Sequence, residues 1–267
     1  MFLHIDAYSR GKILLGEERR EYILNQIKKT GSINAIDIAQ TLDVSETTIR
    51  RDLNRLARKN LVKRTYGGAL AIEPVGVEMK FNTQKEKFIQ EKKKIGLAAS
   101  KMIEDGDVVL LEAGTTGLHT AMNLAHVNNL KVITNSCDIA NLLGKANPRF
   151  EIILSGGILR SDTHSLIGPL ADHTFKNMNV DKAFIGITGI DIEKGITATD
   201  PIEAQTKKHI IGSAKRVIAL CDHSKLGHIS INHIAPVDAI DTLITDSEAD
   251  SQFIERLRGY DIEVVTR

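Results

Sequence analysis

The sequence predicts an α/β protein in two parts: a small unit of three helices and a β-wing, then a larger open sheet wound with helices on both faces. Three observations carry this expectation. Apolar residues recur at helical spacing up to about residue 58; after Gly106 short β-branched-rich strands alternate with helical stretches; and charge divides between the two regions. Residues 1–70 hold 13 Lys/Arg against 8 Asp/Glu, whereas residues 71–267 hold 22 against 26, so a basic small part is joined to a mildly acidic large one. A chain of 267 residues has room for two such domains.

Composition excludes several classes. Hydrophobic content of 42% with 26% charged residues suits a globular protein with a real core. The longest apolar runs, such as "VVLL" at 108–111, fall far short of the ~20 residues a membrane helix needs, and no signal-peptide pattern is read at the start. Cys137 and Cys221 form no C-x-x-C pair, which fits two thiols in a reducing compartment. The expected location is the cytoplasm, with no membrane partner.

The elements of the first part follow in order. "EERREYILNQIKKTG" from Glu17 places Ile23, Leu24 and Ile27 on one helical side, with Gly31 as the stop. "SINAIDIAQTLDV" supplies a second short helix with Ile36, Ile38, Ala39 and Leu42 as its apolar side, and Asp43-Val44 makes the turn. Ser45 caps a third helix, with Glu46 near the positive end of its dipole. At 100° per residue Ile49, Leu53 and Leu56 share one stripe. Thr47, Arg51, Asn54 and Arg58 fall opposite, flanked by Arg50 and Arg55. That side offers Arg, Thr and Asn, the groups that meet phosphate oxygens and base edges in a DNA groove.

The order of helix, turn and capped helix predicts a helix-turn-helix, in which Glu46, Thr47, Arg50 and Arg51 point at the bases and Ser45 and Thr48 belong to the same DNA-binding face. In "LVKRTYGGAL" Leu61 and Val62 start a strand, Lys63, Arg64 and Tyr66 reach toward the nucleic acid, and Gly67-Gly68 releases the chain. Asn54 and Arg55 complete the candidate DNA face. The bland alternative is a solvated basic helix; the conjunction of turn, cap, basic face and basic wing weighs against it.

Residues 17–72 are thus the first domain. Pro74 and Gly76 mark a linker over 73–81, and 82–267 form the second domain. A charged helix from about Thr83 to Ile103 turns Phe88, Ile95, Ala99 and Met102 inward and leaves Lys92, Lys93 and Lys94 as a solvated face. Seven strands are expected at 108–113, 130–135, 150–157, 182–189, 216–222, 242–246 and 261–267, nearly continuous in apolar character as parallel strands covered on both faces are.

Ligands of such sheets gather at the carboxyl ends of the strands. Those ends read Gly114-Thr115-Thr116, Thr134-Asn135, Ser155-Gly156-Gly157, Thr188-Gly189 and Asp222-His223-Ser224-Lys225. Backbone N–H groups and hydroxyls of "EAGTTG" suit an anion, Lys225 adds charge, and Glu203 or Asp200 suits sugar hydroxyls. Neither a P-loop nor a G-x-G-x-x-G pattern is present. His223, His228 and His233 recur every five residues, a spacing that puts them on neither one helical face nor one strand face, so no metal and no cofactor is expected.

Residues 44–69, "VSETTIRRDLNRLARKNLVKRTYGGA", closely resemble the winged helix-turn-helix of the DeoR family of bacterial transcription regulators. Asn60 stands where the family usually has Gly, and Tyr66 where it has His. The likeness continues through "LEAGTT", "ITNS", "SGG", "AFIGITGID", "GITATDPIEAQTKK" and "LCDHSKLG", which are similar to the family's effector-binding domain, with Glu112-Ala113 where many members have Asp-Ser.

The resemblance implies a ribose-5-phosphate-isomerase-like sensor domain. It further implies a phosphate cradle at Gly114, Thr115 and Thr116, with Thr134, Asn135, Gly156, Gly157, Glu203 and Lys225 around a phosphorylated sugar. The expected function is a repressor of a carbohydrate catabolic operon, binding operator DNA as a homo-oligomer, dimer or tetramer, and released by a sugar phosphate. The alternative is a phosphosugar isomerase with an appended DNA-binding domain, its acid and base drawn from Asp200, Glu203 and Lys225.

Overall fold

The computed structural model describes residues 15–30, 32–59, 61–65, 67–71 and 87–267, and these fall into two compact units on either side of residues 73 and 74. Gly31, Asn60, Tyr66, the 73–81 linker with Pro74 and Gly76, and the expected helix start at Thr83 lie outside the described residues.

In the first unit α1 (Gly16–Thr30), α2 (Ala35–Thr41) and α3 (Glu46–Arg58) pack around Ile23, Ile27, Ile38, Ile49 and Leu53. Three short strands complete it: β1 (Ser32–Asn34), β2 (Val62–Arg64) and β3 (Gly68–Ala71), in the order β1-β3-β2, antiparallel throughout. Several local expectations are corrected here. Ser32–Asn34 is a strand rather than part of the second helix. Asn34 caps α2 by accepting from the Ile36 N–H (2.8 Å), which turns Ile36 outward, 50% exposed, while Ala35 takes the buried place. Leu61 stays outside the strand and exposed; Val62 opens it. Gly68 does not release the chain but begins β3, against β1: a Cβ there would lie 1.8 Å from the Ile33 carbonyl oxygen. Only glycine permits that approach.

The second unit centres on a seven-stranded parallel sheet. Its strands are β4 (Val108–Leu111), β5 (Lys131–Thr134), β6 (Glu151–Leu154), β9 (Val180–Gly186), β12 (Ala214–Leu220), β14 (Thr242–Thr245) and β15 (Glu263–Thr266), one overlapping each expected span, with β9 and β12 each beginning two residues before theirs. The spatial order is β15-β14-β12-β9-β4-β5-β6. Alternate residues feed two cores. Leu110 joins the side holding Phe175, Ile210 and Leu257, from α7 (Pro169–Lys176), α8 (Pro201–Gly212) and α9 (Ser251–Arg258). Val109 and Leu111 join the side holding Ile95, Leu118 and Leu143, from α4 (Ile89–Ser100), α5 (Thr115–Ala121) and α6 (Cys137–Ala146). The sheet is therefore doubly wound. From β4 the chain runs through β5 to the edge at β6, then returns to β9 on the other side of β4. The switch in direction lies between β4 and β9, where such sheets hold ligands.

Two additions were not expected: a hairpin of β7 (Ile158–Arg160) and β8 (Ser165–Ile167), and an antiparallel sheet of β10 (Gly189–Asp191), β11 (Gly195–Ala198) and β13 (Asn232–Ala235). The charged helix also differs. Phe88 is its N-cap, and Lys92 is not on a solvated face but 5% exposed, while Lys93 and Lys94 are exposed as expected. One turn on, Gly96 lets α4 close onto α5, since a Cβ there would meet His119 at 2.6 Å.

Candidate functional site

The first candidate surface is built by α3. The Ser45 hydroxyl accepts from the Thr48 N–H (3.2 Å) and shares a hydrogen bond with the Thr48 hydroxyl (2.8 Å), fixing where the helix begins. Asp52 is buried and fixes its rotation: Arg19 Nε donates to Oδ2 at 2.6 Å and Arg20 Nη1 to Oδ1 at 3.1 Å. With Ile49, Leu53 and Leu56 inward, Thr47, Arg51, Asn54, Arg55 and Arg58 face out, all exposed. Arg50 lies half-exposed and paired with Glu46 at 2.6 Å. From β2, Arg64 Nε donates to Asn54 Oδ1 (3.0 Å) and its Nη1 to the Gly68 carbonyl, so the wing is clasped to the helix. Partial burial, then the charge of Arg50, lowers the Arg64 guanidinium below its ordinary value; cations converge here. Lys63 is half-buried on the same strand.

The second candidate site is a pocket at the switch point. Its lining comes from the ends of β4 (Glu112, Ala113, Gly114), β9 (Gly186, Ile187, Thr188) and β12 (Leu220, Cys221, Asp222), together with Thr115, Thr116 and Asn135. Thr163 and Ser165 enter from the β7–β8 hairpin. An ion-pair chain runs through the pocket wall. Arg160 Nη1 lies 2.6 Å from Glu203 Oε2, Lys207 Nζ 3.7 Å from Glu203 Oε1 and 3.2 Å from Glu112 Oε1. The Lys207 ammonium also donates to the Gly186 carbonyl (2.6 Å), and the Gly186 N–H donates to Glu112 Oε2 (2.9 Å). Burial pushes the Glu112 carboxyl up to about 7; Lys207 opposes this and Glu203 adds to it.

The lining also holds a second charged group, Lys87, Lys92, Lys225 and Asp222, close enough to act on one another. Burial pushes the Lys92 ammonium down to about 8, Asp222 working against that and Lys225 and Lys87 with it. Burial disfavours the Asp222 carboxylate, yet Lys225 and Lys92 outweigh it and hold the group below its ordinary value. Burial also pushes the neighbouring Cys221 thiol well up, so it lines the wall as a neutral group.

Among the sequence-based candidates, Gly114, Thr115, Thr116, Asn135, Glu203 and Lys225 converge on this pocket. Three do not. Thr134 is fully buried, its hydroxyl donating to the Leu111 carbonyl (2.6 Å). Gly156 and Gly157 follow β6, the edge strand two places from the switch, and are not in the lining. Asp200 caps α8, accepting from the Ile202 and Glu203 N–H groups. Lys87, Lys92, Thr163, Ser165 and Lys207 were missed. The "EAQTKK" and "EKKK" stretches hold Lys207 and Lys92, but only tertiary packing singles out one lysine of each run.

An exposed cationic recognition-type helix, carried on the same chain as a doubly wound domain with a charged switch-point pocket, defines a ligand-responsive DNA-binding regulator. Comparison with known proteins narrows the class. Residues 19–75 match the DeoR-like helix-turn-helix domain and residues 87–247 the DeoR C-terminal sensor domain. The chain belongs to the DeoR family of transcriptional regulators. It is 37% identical over 249 residues to the transcriptional repressor GlcR of Bacillus subtilis, covering 93% of this chain and 95% of that one. It is 30% identical to the glycerol-3-phosphate regulon repressor of Escherichia coli, covering 92% and 97%. Among solved structures, ribose 5-phosphate isomerase A of Methanocaldococcus jannaschii matches 52% of this chain and 55% of that chain, with 18% identity and a TM-score of 0.38. No helix among the described residues is long and apolar enough to cross a membrane.

Proposed function

We propose that this protein is a cytoplasmic repressor of a carbohydrate catabolic operon that holds operator DNA as a homo-oligomer and releases it when a phosphorylated sugar enters the switch-point pocket. The observation that carries the reading is the pocket's polarity. Its described lining brings four lysines (Lys87, Lys92, Lys207 and Lys225) against three carboxylates (Glu112, Glu203 and Asp222), with Thr115 and Thr116 hydroxyls between. The group with Lys87, Lys92 and Lys225 takes the phosphate; Asn135, Thr163, Ser165 and Glu203 meet the sugar hydroxyls. At the DNA, Ser45, Glu46, Thr47, Thr48, Arg50 and Arg51 face the bases, and Asn54, Arg55, Lys63, Arg64 and Tyr66 the backbone or minor groove. Two copies of the recognition helix read paired half-sites, which requires a dimer or a tetramer.

The protein is a sensor rather than an isomerase. Glu203, the carboxylate nearest to serving as a base, already has one oxygen 2.6 Å from Arg160 and the other 3.7 Å from Lys207, so its lone pairs are engaged by fixed cations rather than directed at a substrate C–H. A panel of pentose and hexose phosphates tests both points. One member should raise the melting temperature, since a native-state ligand at 100 times its Kd stabilises by about 2.7 kcal/mol. The same member should be recovered unchanged after prolonged incubation. Turnover would establish the enzyme instead; a melting temperature indifferent to every member would remove the sugar phosphate.

A further inference from the structure

The first described residues of the second unit carry an unusual backbone. Phe88 has φ +55° and ψ +39°, left-handed, a region that bulky side chains rarely occupy. Its carbonyl nevertheless starts α4 by accepting from the Lys92 N–H (3.0 Å). A conformation of this kind persists only where neighbouring structure enforces it, and the neighbour is His223. The two rings meet edge to face, centroids 4.7 Å apart at 68°. His223 is itself fastened at two points, backbone and ring, to Asp246, a buried carboxylate at the end of β14. The His223 backbone N–H donates to Oδ2 (2.8 Å) and Nδ1 lies 2.9 Å from Oδ1.

The consequence falls on the pocket. Phe88 and His223 are not in its lining, but their chain neighbours are: Lys87 on one side, Asp222, Ser224 and Lys225 on the other, with Lys92 one turn along α4. The Lys87 ammonium also sits 5.4 Å above the Phe88 ring. We infer that Phe88 and His223 are positioning residues, a latch between the start of α4 and the end of β12 that holds Lys87 and Lys92 in place for the anionic group of the effector. The inference rests on the pocket reading above. Neither residue touches the ligand; each acts by removing freedom that the lysines would otherwise lose on binding.

Phosphate binding to the full chain, measured calorimetrically with inorganic phosphate as the probe, tests the latch. Phe88→Gly removes the ring while supplying a residue at ease with φ +55°, so folding is preserved; His223→Ala removes the other half. Each is expected to weaken phosphate about three- to tenfold, the equilibrium equivalent of one edge-to-face contact. The double variant should be no weaker than the worse single, because both break one contact. Phe88→Tyr keeps the aromatic edge and should bind as the wild type does. For Phe88→Gly the melting temperature without phosphate should not fall, which separates positioning from a role in stability. Wild-type affinity in both Phe88→Gly and His223→Ala would overturn the latch, as would additive losses. A wild-type protein that takes up no phosphate would overturn the pocket reading itself, and the latch with it.

Discussion

Glu112 offers a quantitative test of the pocket's electrostatics. Its carboxylate is buried with one lysine contact, Lys207 at 3.2 Å, and one backbone donor, the Gly186 N–H at 2.9 Å. Burial outweighs both and raises it from an ordinary 4.5 to about 7. The folded state then binds the proton more tightly than the unfolded chain, so this group's contribution is complete below pH 4.5 and is lost as pH rises through 7. The whole interval is worth about 3 kcal/mol, of which about 2 kcal/mol falls between pH 5.5 and pH 8. Glu112→Gln keeps an acceptor for Gly186 and removes the ionisation, while Lys207 retains the Gly186 carbonyl and Glu203. Urea unfolding of wild type and variant at the two pH values isolates the term. The variant should gain about 2 kcal/mol on the wild type between pH 5.5 and pH 8, or about 4–8 °C in melting temperature for a domain of this size. A difference between the two proteins that stays constant with pH would refute the argument that burial dominates here.

Two further predictions concern the first unit. Asp52→Ala strips Arg19 and Arg20 of their shared partner; both arginines keep partial access to water, so the expected loss is about 1–3 kcal/mol in urea unfolding, and an unchanged midpoint would deny Asp52 its role as the clamp on α3. Arg51→Ala, at an exposed position with no packing duty, should leave stability alone and weaken the specific operator by about 1–3 kcal/mol if the guanidinium reads a base. Operator binding equal to wild type in a mobility-shift titration would remove that contact.

The large sheet was legible because its strands announce themselves locally. Runs such as "VVLL" and "RVIAL" are apolar on both faces, and all seven central strands fall where such runs occur. Apart from the wing strand that opens at Val62, the short strands were not legible. Each has three or four residues, and its partner is distant in the chain: Ser32 pairs with Leu70, and Thr197 with His233. Reading the carboxyl ends of strands located much of the pocket, since parallel pairing brings those ends to one edge. It could not rank them. Distance from the β4/β9 switch excludes Gly156 and Gly157, and that distance depends on strand order, which local patterns do not contain. The members of the Glu112–Lys207 pair are distant in the chain, and Lys92 is hidden in a run of lysines whose other members are solvated. The α3 face was readable throughout, because 100° periodicity and an N-cap are local properties.

The most direct test of regulation by the pocket is operator affinity measured by fluorescence anisotropy, with and without a saturating amount of the sugar phosphate that raises the melting temperature. Coupling between the two sites predicts that the ligand weakens operator binding about 5–150-fold, through a pocket whose Lys92 and Lys225 are intact. Equal affinity in the presence and absence of a ligand known to be bound would contradict the account.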